Sequence, residues 1–200
     1  MRTVKLRSAR NAFAVVGLAL LLGLLSPALV QAAGPWKAQV VDAETGQPLE
    51  EVVVLMYWIK YTGSWAGWAG GEFDDAEEVV TGADGRFVVP SRRVFTLVPW
   101  KKVSRELVIF KPGYGIWNFR GAHEWEKLPL WESQAKREEA WKRFEGEGVV
   151  MELPPLKTRE ERLRVYQTFG GSPPLVPLDR TRRLREAEDA ERRYLGFQTR

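Results

Sequence analysis

The sequence predicts a mainly β fold, a β-sandwich, followed by a helical C-terminal extension. Three observations carry this reading. Short apolar runs rich in β-branched and aromatic residues recur between 36 and 110. Turn-forming residues punctuate them at roughly 8–12 residue intervals, the spacing of a sandwich. After about residue 120 the texture changes to charge-dense segments with helical spacing and proline breaks. The chain has 200 residues, of which 44% are hydrophobic and 12% aromatic, too apolar for a disordered polypeptide.

The first element is a targeting segment. Arg2, Lys5, Arg7 and Arg10 form a basic start with no acid. Phe13 to Leu25 is apolar and is broken by Ser26-Pro27, and Val30-Gln31-Ala32 places short residues where a signal peptidase reads them. The prediction is a signal peptide over 1–32, cut after Ala32 with the next bond as the alternative, and an exported protein of the periplasm or cell envelope. The apolar run is short for a span of about 20 residues. The membrane would be touched only through this segment, if it stayed uncleaved. The leader also explains the charge. The formal net charge of +4 equals the leader's four basic residues, so 33–200 carries 26 basic against 26 acidic residues. No nucleic-acid partner is expected from that balance.

The strands follow. Trp36, Ala38 and Val40 alternate with Lys37 and Gln39, as in a half-buried strand. Ala43 to Pro48 reads as a turn. Val52 to Ile59 is continuously apolar, which predicts a central strand buried on both faces. Val79-Val80-Thr81 and Arg86 to Val89, joined through Asp84-Gly85, read as a hairpin. Val94 to Val98 and Leu107 to Phe110 are two more strands, and Pro112-Gly113-Tyr114-Gly115 is a turn. In the extension, Trp131 to Phe144 reads as a helix, Val149-Val150-Met151 as a short strand added to the sheet, and Thr158 to Phe169 as a helix opened by a Thr158/Glu161 capping box. Residues 180–195 form a charged helix whose only apolar stripe is Leu184, Ala187, Tyr194 and Leu195. These helices are expected to pack weakly on the sandwich or to lie outside it. The domains are then 33–120 and 121–200.

Three blocks in order carry a resemblance: Ala38 to Val54 with Asp42-Ala43-Glu44-Thr45-Gly46-Gln47-Pro48, Thr81 to Phe87 with Asp84-Gly85, and Leu107 to Tyr114 with Lys111-Pro112-Gly113-Tyr114. Together they resemble a carboxypeptidase regulatory-like domain over about 36–118. The resemblance implies a seven-stranded, transthyretin-like (prealbumin-like) sandwich. It implies a non-catalytic accessory module of exported proteins, found beside peptidases, in outer-membrane receptors and in adhesive proteins. The chain departs from the family at 60–76, a long connection where a short polar one is usual.

The counts exclude most chemistry. No cysteine means no disulfide, thiol catalysis or zinc–cysteine site, and His123 is the only histidine. A zinc site with two histidines is impossible, and no nucleophile elbow accompanies His123. No enzyme, metal or cofactor is expected. Glu72, Asp74, Asp75, Glu77 and Glu78 lack a turn within the run that a calcium loop needs and read as a solvated acidic loop. The C-terminal arginines, offset by Glu186, Glu188, Asp189 and Glu191, read as a solvated helix face. Tyr61, Trp65, Trp68 and Phe73, set among glycines, are the candidate binding residues. If the loop folds back, its rings cap the end of the sandwich; if they stay exposed, they serve contact with a protein, stacking on a sugar or contact with a membrane surface. The expectation is a non-catalytic binding or scaffolding module of the cell envelope with a protein partner. A carbohydrate-binding module using 61–73, with a polysaccharide partner, is the alternative.

Overall fold

Alternation in β2 (Trp36–Asp42) sends Trp36, Ala38 and Val40 inward. A computed structural model describes residues 31–65, 67–94, 100–169 and 172–199, so all but the last two residues of the leader and most of Val94 to Val98 lie outside the described residues. The other strands are β1 (Gln31–Ala33), β3 (Val53–Ser64), β4 (Gly67–Val80), β5 (Arg86–Val89), β6 (Arg92–Val94), β7 (Lys101–Phe110), β8 (Asn118–Phe119) and β9 (Val149–Leu153). The helices are α1 (Ala122–Trp125), α2 (Leu130–Phe144), α3 (Arg159–Phe169) and α4 (Arg182–Leu195). One sheet has the order β5-β2-β9-β8 and the other β4-β3-β7, while β1 and β6 form a short ribbon.

The main core fills the space between the two sheets. Trp36, Val40, Phe87, Val89, Phe119, Met151 and Leu153 come from the first sheet, and Val54, Met56, Trp58 and Ile109 from the second. Phe144 of α2, fully buried, meets Phe87 edge-on at 6.1 Å between ring centroids. β3 is buried on both faces, as its sequence predicts. Val54, Met56 and Trp58 face the main core, while Val53 and Leu55 face a second cluster with Ala76, Phe110, Val176 and Leu184.

Turn chemistry fixes the links. The Asp42 carboxylate accepts from the Glu44 and Thr45 amides at 2.8 Å each and from the Tyr114 hydroxyl at 3.2 Å. Burial alone would raise its pKa; those hydrogen bonds outweigh burial and hold it below the usual value. The buried Thr81 hydroxyl accepts from the Val52 amide at 2.9 Å and donates to the Leu49 carbonyl at 2.7 Å. Gly85 has φ +71°, and a Cβ there would lie 2.5 Å from the Val40 carbonyl oxygen. These are residues of the blocks quoted above, and their work is structural.

Four expectations need correction. Val79 to Thr81 and Arg86 to Val89 do not make a hairpin. β4 pairs with β3 along its length and β5 pairs with β2, so Gly82 to Gly85 carries the chain from one sheet to the other. The connection at 60–76 is not a loop but strand, because β3 and β4 run on as a long antiparallel arm. The texture change near 120 is not a structural boundary. β9 lies between β2 and β8, parallel to β2 with Val40 opposite Met151, and Ala32–Arg200 forms one compact unit.

The last correction concerns the extension, which is fastened firmly. Leu184 and Leu195 are buried, and so are Glu188 and Glu191. Arg162 makes a two-pronged pair with Glu191, which also accepts from the Gly113 amide at 2.9 Å. Ser172 donates to Glu188 at 3.0 Å. Thr181 offers α4 no side-chain cap. Glu78 of β4 caps it instead, accepting from the Arg183 and Leu184 amides at 2.8 Å each. The expected capping box is present on α3: Glu161 N–H donates to Thr158 Oγ1 at 3.1 Å, and Thr158 N–H to Glu161 Oε2 at 3.0 Å.

Candidate functional site

The arm ends in a patch of indole rings. The last two rungs, Gly63 opposite Trp68 and Ser64 opposite Gly67, extend beyond β7, whose pairing stops at Thr62 opposite Lys101. Trp65 at the turn is fully exposed, Trp68 is 53% exposed and Trp100 is 56% exposed. Glycine makes this packing possible. A Cβ on Gly63 would meet the Trp68 ring at 3.2 Å and the Trp100 carbonyl oxygen at 3.3 Å, and the Gly63 amide donates to that oxygen at 2.6 Å. Gly63 and Gly71, which suggest a loop in the sequence, are residues that let bulky neighbours lie across a strand. Lys101 and Lys102, both exposed, flank the patch.

The four predicted binding residues therefore divide. Trp65 and Trp68 share the tip. Tyr61 is half-buried on β3, close to Gly71. Phe73, half-buried, packs against the second cluster. Trp100 was missed by the sequence reading; its place at the tip follows from β7 pairing with β3, a long-range contact with no local signal.

The base of the arm is stiffened by stacked charge and rings. Arg92 lies 4.8 Å from the Trp58 ring centroid, Trp58 and Trp36 are 5.6 Å apart, and Arg105 lies 5.3 Å from both Trp36 and Trp141. Arg92 also donates to Asp74 at 2.5 Å, and Lys60 pairs with the same carboxylate. Burial acts to raise the Asp74 pKa, but the hydrogen bonds and charges of Lys60 and Arg92 overcome it and hold the value low.

The acidic run is not a solvated loop but part of strand β4. Asp75 receives Arg180 at 2.9 Å, and Arg180 also donates to the Ala76 carbonyl. With Asp74 held by Lys60 and Arg92 and Glu78 capping α4, three of the run's five carboxylates meet the protein's own donors. Among the described residues no three histidine or carboxylate groups converge as metal ligands. His123 is exposed on α1, 3.9 Å from Glu124. Among the described residues no helix is long and apolar enough to cross a membrane.

Comparison with known proteins returns no matching family model, no matching curated protein and no matching solved structure.

Proposed function

We propose that the protein is an exported, non-catalytic binding module of the cell envelope that engages a protein partner through the tip of its β3–β4 arm. The observation that carries this reading is the fully exposed Trp65 beside the half-exposed Trp68 and Trp100. Three indoles at one end of a stiff arm are a costly surface to leave in water, and tryptophan is the residue that most often anchors a protein contact. Trp65 stands fully in solvent at the turn, as a ring that anchors in a partner's pocket does. Export is supported by the basic-apolar leader sequence. The likeness to carboxypeptidase regulatory-like domains supports the accessory, non-catalytic character.

The test is site-specific photocrosslinking in the producing cell, with a benzophenone amino acid at position 65 or, as control, at the exposed position 131. A discrete protein adduct from 65 alone supports the reading. The carbohydrate alternative is read by tryptophan fluorescence of the purified protein titrated with envelope polysaccharides. A saturable shift that Trp65→Ala/Trp68→Ala removes would replace the protein partner with a glycan. No adduct and no shift would overturn the arm tip as a binding site. N-terminal sequencing of the exported fraction should begin at Ala33.

A further inference from the structure

Away from the arm, the outer side of the β5-β2-β9-β8 sheet and its junction with α2 carry two adjoining cavities. One, of about 330 Å3, is lined by Trp125, Ala140 and Arg120, and the other, of about 350 Å3, by Val88, Lys37 and Arg86. Arg143, Val149 and Val150 line both, so the two form one trough. Its floor is apolar and open to water, with Val88 52% exposed on an edge strand.

Its border is cationic. Lys37, Arg86, Arg120, Lys136 and Arg143 stand around it against only Glu139 and Glu147. Three of these cations have carboxylates nearby, Arg86 with Asp84 at 3.8 Å, Arg120 with Glu152 at 3.3 Å and Arg143 with Glu147 at 3.6 Å. All three cations are well exposed, so such pairs exchange readily for a better acceptor. Lys37 and Lys136 have no carboxylate partner among the described residues. Residues 33–200 balance their charges overall, so the surplus belongs to this trough and not to the protein as a whole.

The geometry points to a second docking site, for an extended polypeptide segment in which acidic side chains alternate with small apolar ones. An extended chain points alternate side chains in opposite directions, so one set can fill the valine floor while the other meets the basic border. A sugar polyanion would satisfy the cations and leave Val88 and Val150 uncovered. Charge complementarity of this kind sets approach and register more than affinity, so binding weakens steeply with salt. This site is independent of the arm tip, and a protein with both would join two partners.

The test is fluorescence anisotropy of the purified protein with a fluorescein-labelled dodecapeptide of alternating Glu and Val. A peptide of alternating Lys and Val is the charge control, and polygalacturonate is the competitor. The expected result is saturable binding of the Glu-Val peptide alone. Arg86→Glu combined with Lys136→Glu should weaken it at least tenfold, and Val88→Asp should weaken it also. These side chains are exposed or half-exposed, so the variants should keep the wild-type circular dichroism. Lys37→Glu replaces any that does not. The proposal is overturned by absence of binding, by equal binding of the Lys-Val peptide, or by unchanged affinity in the variants. It is equally overturned if polygalacturonate displaces the peptide as well as unlabelled peptide does at equal charge, since the trough would then read charge alone.

Discussion

Replacing Glu78 with Ala should loosen the C-terminal helix from the sandwich. The Glu78 carboxylate takes the Arg183 and Leu184 amides at the start of α4, and Thr181 supplies no side-chain substitute. Losing an N-cap acceptor costs about 0.5–2 kcal/mol. Removing a carboxylate from a helix N-terminus costs about 0.3–1 kcal/mol more. The same two oxygens do both jobs, so the expected loss is about 1.5–2.5 kcal/mol. For a unit of this size that lowers the melting temperature by about 3–10 °C. Glu78→Gln keeps one good acceptor without charge and should lose about half as much. Glu77→Ala, next along the strand and with no helix amide to cap, should change stability by less than about 0.5 kcal/mol. The assay is urea unfolding followed by circular dichroism. A Glu78→Ala protein within about 0.5 kcal/mol of wild type would refute the cap as what seats Leu184 on the second cluster.

Three further outcomes follow from the same geometry. A chain ending at residue 120 should show no cooperative melt, because it lacks β9 from the middle of a sheet together with the fully buried Phe144, Met151 and Leu153; a sigmoidal near-ultraviolet transition would refute this. Gly85→Ala should cost at least about 2 kcal/mol, since it combines a left-handed backbone with a Cβ 2.5 Å from the Val40 carbonyl oxygen; urea midpoints will show it. The Asp42 and Asp74 carboxyls titrate below their unfolded values, so the unfolded chain binds more protons as acid is added. Their stabilising contribution is complete above the unfolded pKa near 3.8 and is lost as the pH falls through the lower folded values. Asp42→Asn should therefore be less stable at neutral pH and show a shallower fall of stability in acid, and an unchanged slope would refute the assignment.

Where burial follows a local period, the sequence alone determined the structure. β2 alternates because every second residue of its first half meets the core, the first half of β3 is apolar because both its faces are covered, and the Thr158/Glu161 pair writes a helix start in four residues. Even β9 is legible as a strand, though not its place between β2 and β8. Only the tertiary structure decided what depends on partners far along the chain. Glycines at 63 and 71 read as loop until the Trp68 ring and the Ile59 side chain are seen filling the space they leave. The charges of 72–78 and of α4 read as solvated surface until Asp75 meets Arg180 and Glu78 meets the helix amides. A charge in a sequence has no partner written beside it, and whether it is spent on solvent, a helix end or another strand is settled only when the chain brings distant residues together. The tip is the same case: Trp65 and Trp68 are visible as rings among glycines, but their exposure and the arrival of Trp100 beside them are products of β3 pairing with both neighbours.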